Sequence, residues 1–120
     1  MTETARALYE FWSGFGIPAF TVGSVPVEQD LPYITYSLVE TEPLEPSTHY
    51  AQVWYRSKSN AALLAKVDEI KQDLGDGVLI ACDGGYISLR PITPFAQLMV
   101  DVQSDVKYAY LNMQINCYHK

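Results

Sequence analysis

Apolar and polar residues alternate without a break from Tyr108 to Tyr118, near the C-terminal end of the chain. The apolar set is Ala109, Leu111, Met113, Ile115 and Cys117, and the polar set is Tyr108, Tyr110, Asn112, Gln114, Asn116 and Tyr118. Successive side chains of a β-strand point to opposite faces, so this pattern predicts a strand over residues 106–117. A strand with one apolar face requires a sheet in which that face is covered by a hydrophobic core.

The other face of this strand carries no Asp, Glu, Lys or Arg, although 18% of all residues are charged. Neighbouring predicted strands agree, because Thr35 and Ser37 on one and Gln52 and Trp54 on another are also uncharged. Protein–protein interfaces are enriched in aromatic residues and depleted of charges. The alternative is a merely polar outer face in a tyrosine-rich chain. We expect a contact surface between subunits that includes Trp54, Tyr108, Tyr110, Asn112 and Gln114.

The rest of the chain divides into two amphipathic helices and five further strands. The helices are predicted at about residues 3–14 and 59–74, and the strands at 33–40, 50–56, 78–82, 86–90 and 96–102. Residues 18–22 are interpreted as a short extended piece, and residues 83–85 as a hairpin turn. The order α-β-β-α-β-β-β-β predicts an α+β fold, with a mainly antiparallel sheet and both helices packed on one face.

Length and composition limit the class of protein. The 120 residues fit a single domain, residues 1–120. Fourteen acidic and eight basic residues give a net charge of −6. Specific nucleic-acid binding is not expected, because affinity for phosphate backbones comes mainly from Lys and Arg. No apolar run approaches the roughly 20 residues that span a bilayer, so we expect a soluble protein that is not associated with a membrane. Cys82 and Cys117 lie in apolar segments and are expected to be buried, reduced thiols.

The sequence contains no recognisable catalytic or metal-binding motif. His49, in or near a loop, and His119 have no partner histidine at helical spacing and no neighbouring cysteine pair. Asp83-Gly84-Gly85 lacks the lysine and the following helix of a phosphate-binding loop. The acidic residues between positions 40 and 45 are dense loop acids of the kind that usually face water. We therefore expect no enzymatic activity, no metal and no cofactor.

Several segments, in a fixed order along the chain, carry a family resemblance. They are the N-terminal helix leading to Ile17-Pro18-Ala19-Phe20, the run Leu31-Pro32-Tyr33-Ile34-Thr35-Tyr36, the run Tyr50-Ala51-Gln52-Val53-Trp54-Tyr55-Arg56 directly before the second helix, and the tyrosine-rich strand after Pro94-Phe95. In this order and spacing the chain resembles the tail terminator proteins of long-tailed phages and prophages, which are also called tail-completion, neck or minor tail proteins.

The resemblance implies a structural virion protein that closes the end of the tail tube as a homo-oligomeric ring, typically of six copies. Its expected partners are further copies of itself, the tail tube protein and a head-completion protein. Its expected location is the tail or neck of the virion, after assembly in the bacterial host cytoplasm. The resemblance carries over no catalytic residue and no cofactor. A head-proximal connector or minor capsid protein remains an alternative, and so does a small-ligand-binding α+β domain that uses the Tyr/Asn/Gln face.

Overall fold

The computed structural model describes residues 3–38, 46–82, 84–102 and 105–119. Its elements are α1 (Glu3–Ser13), β1 (Ala19–Thr21), β2 (Tyr33–Tyr36), β3 (Ser47–Arg56), α2 (Ala61–Leu74), β4 (Val78–Cys82), β5 (Gly85–Val100) and β6 (Val106–His119). The long final strand and the two helices lie where the sequence predicts them. β2 ends at Tyr36, whereas the predicted strand runs over 33–40, of which residues 39 and 40 lie outside the described residues. β3 begins at Ser47 rather than at Tyr50.

The six strands form one mixed sheet in the order β1-β2-β3-β6-β5-β4. The predicted order of elements is wrong, because the chain runs α-β-β-β-α-β-β-β. The extended piece at 18–22 contains strand β1, and directly before β1 the carbonyl of Pro18 accepts a hydrogen bond from the amide of Ile34. β1 runs parallel to β2, so the sheet is not wholly antiparallel. All other neighbouring pairs of strands are antiparallel.

Strand β5 replaces the two separate strands predicted at 86–90 and 96–102. The pairing of β5 with β6 shifts register between Pro91 and Ala96 and then continues to Val100. β4 pairs with β5 only as far as Leu89, so Pro91 and Pro94 of β5 both lie beyond the end of β4. A proline cannot donate to a strand ladder, but a sheet tolerates it on an edge or at a bulge. The prolines therefore interrupt the register of this strand without ending it.

Both helices pack on the same face of the sheet, as the apolar patterns predict. The α2 stripe of Leu63, Val67, Ile70 and Leu74 is buried in one cluster with Leu8 and Trp12 of α1. From β6 the same cluster contains Ala109, Leu111, Met113, Ile115 and Cys117, each at most 2% exposed. Burial of apolar side chains of this size stabilises a fold by about 1.5–3 kcal/mol each. The opposite face of the sheet carries no helix in the described part of the chain.

A buried histidine lies inside this core, although the sequence places it in or near a loop. His49 belongs to β3 and is fully buried. Its Nε2 accepts a hydrogen bond of 2.9 Å from the indole N–H of Trp12. An indole can only donate, so the imidazole proton is on Nδ1, which lies 3.1 Å from Ser37 Oγ and donates to it. Burial lowers the pKa of His49 to about 4, so its ring is neutral at physiological pH.

Substitution of Ser37 by alanine is expected to destabilise the fold by about 1–3 kcal/mol. The Ser37 hydroxyl accepts from His49 Nδ1 and also from the backbone N–H of Tyr50, at 3.0 Å. Alanine leaves both donors without this acceptor, in a region closed to water. Urea unfolding at pH 7 measures the effect. The matched control is Ser24→Ala, which removes an exposed hydroxyl and should change stability by less than about 0.5 kcal/mol. Equal stability of the two variants would contradict the prediction.

Cys82 and Cys117 are both thiols rather than partners in a disulfide. Cys117 is buried as predicted, whereas Cys82 is only half-buried, so the prediction of a buried thiol is wrong for Cys82. Burial raises the pKa of the Cys117 thiol. Since the thiolate is the reactive form, we expect Cys117 to resist alkylation in the native protein, with the half-buried Cys82 reacting first. Timed labelling followed by peptide mass spectrometry measures both rates, and labelling in urea is the control. Rapid modification of native Cys117 would contradict this expectation.

Candidate interaction face

The five residues predicted for a subunit contact all lie on the sheet face away from the helices. Trp54 is on β3, and Tyr108, Tyr110, Asn112 and Gln114 are on β6. All five side chains are half-buried in the single chain. Trp54 lies directly opposite Tyr108 in the pairing of β3 with β6. We call the whole sheet face that points away from the helices the outer face.

An aromatic row crosses four strands of the outer face. The rings of Trp54 and Tyr108 stack with centroids 4.2 Å apart. Tyr33 of β2 continues the row at 6.3 Å from Trp54, and Phe20 of β1 lies 6.1 Å from Tyr33. Sequence reasoning did not place Tyr33 and Phe20 in the site, because their position depends on the register of β1 and β2. Aromatic side chains offer large contact areas with little conformational entropy to lose on binding.

Hydrogen bonds hold the row in place from the strands beneath it. The indole N–H of Trp54 donates to Thr35 Oγ1 at 3.0 Å. The Thr35 hydroxyl donates in turn to Gln52 Oε1 at 2.7 Å. Thr35 and Gln52 are therefore part of the outer face, as the sequence predicts. Ser37 is not, because it follows the end of β2 and binds the core histidine.

A groove of about 360 Å³ runs along the outer face. Its floor consists of Tyr33, Thr35, Gln52, Trp54, Tyr108 and Tyr110, and its wall is the turn after β1, with Val22, Gly23 and Val25. Tyr110 also stacks on Tyr50, with ring centroids 5.5 Å apart. Burial, and secondly the neighbouring Tyr50, raises the pKa of Tyr110, so its hydroxyl is neutral at physiological pH. The groove is therefore aromatic, uncharged and lined with hydrogen-bonding groups.

Asn112 and Gln114 lie outside this groove. Asn112 Nδ2 donates to the carbonyl of Pro94 at 3.3 Å, and Gln114 Nε2 donates to Asn116 Oδ1 at 3.1 Å. Gln114 also lines a second, smaller groove of about 160 Å³ with Ile92 and the first residues of β3. Opposite Gln114 on β5 is Arg90, which brings a positive charge to this end of the outer face. The five predicted residues thus fall into two regions of the outer face, an aromatic region around Trp54 and a polar region around Gln114.

Potential metal ligands are not grouped together in the described part of the chain. Among the residues that the structure describes, no group of three or more His, Cys, Asp and Glu side chains is placed to hold a metal ion. His49 is enclosed in the core, and residue 83 of the predicted turn and the loop acids at 40–45 lie outside the described residues. In the same part of the chain, no helix is long and apolar enough to cross a membrane.

The chain matches no protein-family model and no curated protein sequence. Its fold is similar to that of a chain in a solved structure of the virion of the native gene transfer agent (GTA) particle. The two superpose with a TM-score of 0.61 over 98% of each chain, with 13% sequence identity. At this identity the likeness establishes a shared fold, from α1 through to β6.

Proposed function

We propose that this chain is a structural virion protein, and specifically a tail terminator or neck subunit. In this role it caps the tail tube as a ring and joins the tube to head-completion proteins. The observation that carries the proposal is the shared fold with a chain of the gene transfer agent virion, which includes 98% of both chains. A likeness over the whole length of both chains supports a similar place in a similar assembly. The family resemblance of the sequence supports the finer assignment to the terminator ring.

The outer face supports an assembly role by its chemistry. Its aromatic row is uncharged in a chain with a net charge of −6. A carboxylate or ammonium group placed in a desolvated contact costs several kcal/mol, so contact surfaces lose charges where water-exposed surfaces need not. We propose that Trp54, Tyr108 and Tyr110 contact a neighbouring virion protein, and that Asn112 and Gln114 lie at the rim of the same contact.

The proposed partners are further copies of this chain, the tail tube protein and a head-completion protein. The subunit assembles in the bacterial host cytoplasm and remains in the tail or neck of the virion. An interface in the virion needs no catalytic group. The hydrogen-bonded side chains and stacked rings of the outer face suit such a contact.

The groove favours one alternative function, the binding of a small ligand. Its volume of about 360 Å³ is within the range of small-molecule sites, and tyrosine, glutamine and threonine line it. A ligand site of this kind would bind its ligand in the isolated monomer, whereas a virion contact would be occupied only in the particle. Tryptophan fluorescence distinguishes the two, because Trp54 lies in the floor of the groove. A library of small metabolites should leave this fluorescence unchanged if the assembly proposal is correct.

Removal of the chain from a particle-producing strain tests the proposed function. Negative-stain microscopy should show heads and tails that are not joined, and a plasmid copy of the chain should restore complete particles. Gold labelling of a tagged copy should place it at the junction between head and tail. Labelling on the head shell would instead indicate a connector or minor capsid protein. Normal, complete particles in the absence of the chain would overturn the proposal.

A further inference from the structure

Strand β5 has a long edge without a partner strand beyond Leu89. β4 pairs with Gly85–Leu89 only, and among the described residues no strand pairs with the outer edge of residues 90–100. Near the end of this edge, Leu98 is 45% exposed, Met99 42% and Val100 64%. Leu98 lies on the helix side of the sheet and Met99 on the outer face, opposite Tyr108. Apolar side chains are therefore exposed on both sides of the same strand edge.

The pairing of β5 with β6 determines which backbone groups point outward from this edge. The amide of Asp101 donates to the carbonyl of Val106, so this opposed pair is hydrogen-bonded. Hydrogen-bonded and non-hydrogen-bonded pairs alternate in an antiparallel ladder. Ala96, Leu98 and Val100 are therefore in non-hydrogen-bonded pairs and direct their N–H and C=O groups away from β6. These are the groups that an added strand would bind.

This edge lacks the protection that soluble proteins usually give an edge strand. Residues 91–100 contain no Asp, Glu, Lys or Arg, and the nearest charges are Arg90 and Asp101. Natural edge strands are commonly short or carry charges, because a long uncharged edge pairs with other chains. The two prolines protect only the first part of this edge, because the outward-facing N–H groups of Ala96, Leu98 and Val100 all follow Pro94.

The opposite edge of the sheet, at β1, is level with this part of β5. The register places Ala19, Ile34, Val53, Ala109 and Leu98 in one row across five strands. The carbonyl of Pro18 and the amide of Val22 both form hydrogen bonds with β2. Since backbone groups alternate in direction along a strand, Ala19 and Thr21 direct their N–H and C=O groups outward, away from β2. The chain around β1 is also uncharged, from residue 11 to residue 27. Both edges therefore lie at the same height and lack charge, and neither is paired with a further strand among the residues that the structure describes.

We infer that the β5 edge of one copy binds the β1 edge of a second copy, which extends the sheet from subunit to subunit. In this contact Leu98 lies opposite Ala19 and Ala96 opposite Thr21, and the two strands run antiparallel. Copies of a chain with a net charge of −6 repel each other, so their contact is most favourable where neither surface carries a charge. Pairing of one edge with a different edge is a heterologous contact, which is the kind that closes a ring. The inference rests on the proposed ring function and names the surfaces that join its subunits.

Disulfide trapping between two singly substituted chains tests this contact. The extended register places Phe20 of one copy opposite Gln97 of the other, in a non-hydrogen-bonded pair whose side chains are close. Chains with Phe20→Cys and chains with Gln97→Cys are mixed at high concentration under mild oxidation. Mass spectrometry of linked peptides separates this bond from any bond to Cys82 or Cys117. We expect the mixed disulfide to form faster than either homodimer, and faster than one between Gln97→Cys and a Leu64→Cys control on α2.

A second substitution checks that strand pairing directs the cross-link. Leu98→Lys places a charge on the edge, and we expect it to abolish the mixed disulfide. Leu64→Lys changes a leucine of similar exposure, 43%, and should leave the disulfide unaffected. No mixed disulfide, or a dominant bond between two Gln97→Cys chains, would overturn the inference. Purified particles that contain the chain at the junction but fail to cross-link would overturn the edge contact alone. Efficient cross-linking of a chain absent from particles would overturn the virion function alone.

Discussion

Replacement of Tyr110 by glutamate is expected to leave the subunit folded and to prevent its incorporation into particles. Tyr110 is half-buried on the outer face, where it lines the groove and stacks on Tyr50. A carboxylate at this position keeps its hydration in the free monomer but must lose it in a contact. The cost of burying an unpaired charge is several kcal/mol, which is enough to abolish most protein contacts of moderate affinity. Circular dichroism measures folding, and microscopy of particles from a complemented strain measures assembly.

Two control variants separate the effect of the face from a general effect of substitution. Tyr9→Glu makes the same change on α1, at a side chain that is 47% exposed on the helix side, and should assemble normally. Tyr110→Phe keeps the ring and removes only the hydroxyl, so it should assemble in near-normal amounts. If Tyr110→Glu is folded and produces complete particles, the outer face is not a virion contact. If Tyr9→Glu also fails, the loss reflects charge in general rather than this face.

The outer face and the β5 edge are parts of one surface, which explains why they should be tested separately. Met99 on the edge lies opposite Tyr108 of the aromatic row, and Gln97 lies opposite Tyr110. Leu98→Lys alters the edge on the helix side of the sheet, whereas Tyr110→Glu alters only the outer face. Loss of cross-linking in the first variant and loss of particles in the second would assign subunit pairing to the edge and attachment to the face.

The parts of the fold that the sequence predicts well are those with a long, unbroken period. β6 alternates over its whole length, and the buried stripe of α2 repeats at helical spacing. β1 contains only three residues, which is too short to show a period, and its parallel pairing depends on where the following loop leads. The sequence predicts two strands in place of β5, because prolines usually end strands. β5 tolerates its prolines because β4 ends before them, so their missing N–H groups leave no bond to β4 unmade. The local sequence does not show where β4 ends.

The same limit applies to the candidate site. The outward residues of β6 and β3 could be identified from alternation alone, because in each strand the apolar residues mark the buried face and the residues between them the other face. The stack of Trp54 on Tyr108 and the row through Tyr33 required the register between strands, which single-strand patterns do not contain. The burial of His49 could also be predicted from alternation. Ala51 and Val53 point into the core, and residue 49 is the preceding position on the same face of the strand. The predicted strand begins at Tyr50, one residue too late to include His49.

The protein is expected to lose about 3 kcal/mol of stability between pH 7 and pH 4 through His49 alone. Burial lowers the pKa of this ring from 6.5 to about 4 in the folded protein. Between these values the unfolded chain binds the proton and the folded chain does not, so a fall in pH favours unfolding. Each unit of pKa difference corresponds to about 1.4 kcal/mol. The contribution is complete above pH 6.5 and is lost as the pH falls towards 4, where protonation of Nε2 would also break the hydrogen bond from Trp12.

Urea unfolding of the wild type and of His49→Gln, at a series of pH values, isolates this contribution. Glutamine offers an acceptor to Trp12 and a donor to Ser37 but does not titrate, while the carboxylates common to both proteins cancel in the comparison. The decrease in unfolding free energy from pH 7 to pH 4 should be about 3 kcal/mol smaller in the variant. An NMR titration of the folded wild type gives an independent value for His49. A ring that titrates near 6.5 in the folded protein, or variant and wild-type curves that run parallel, would show that the buried imidazole does not cause the acid sensitivity.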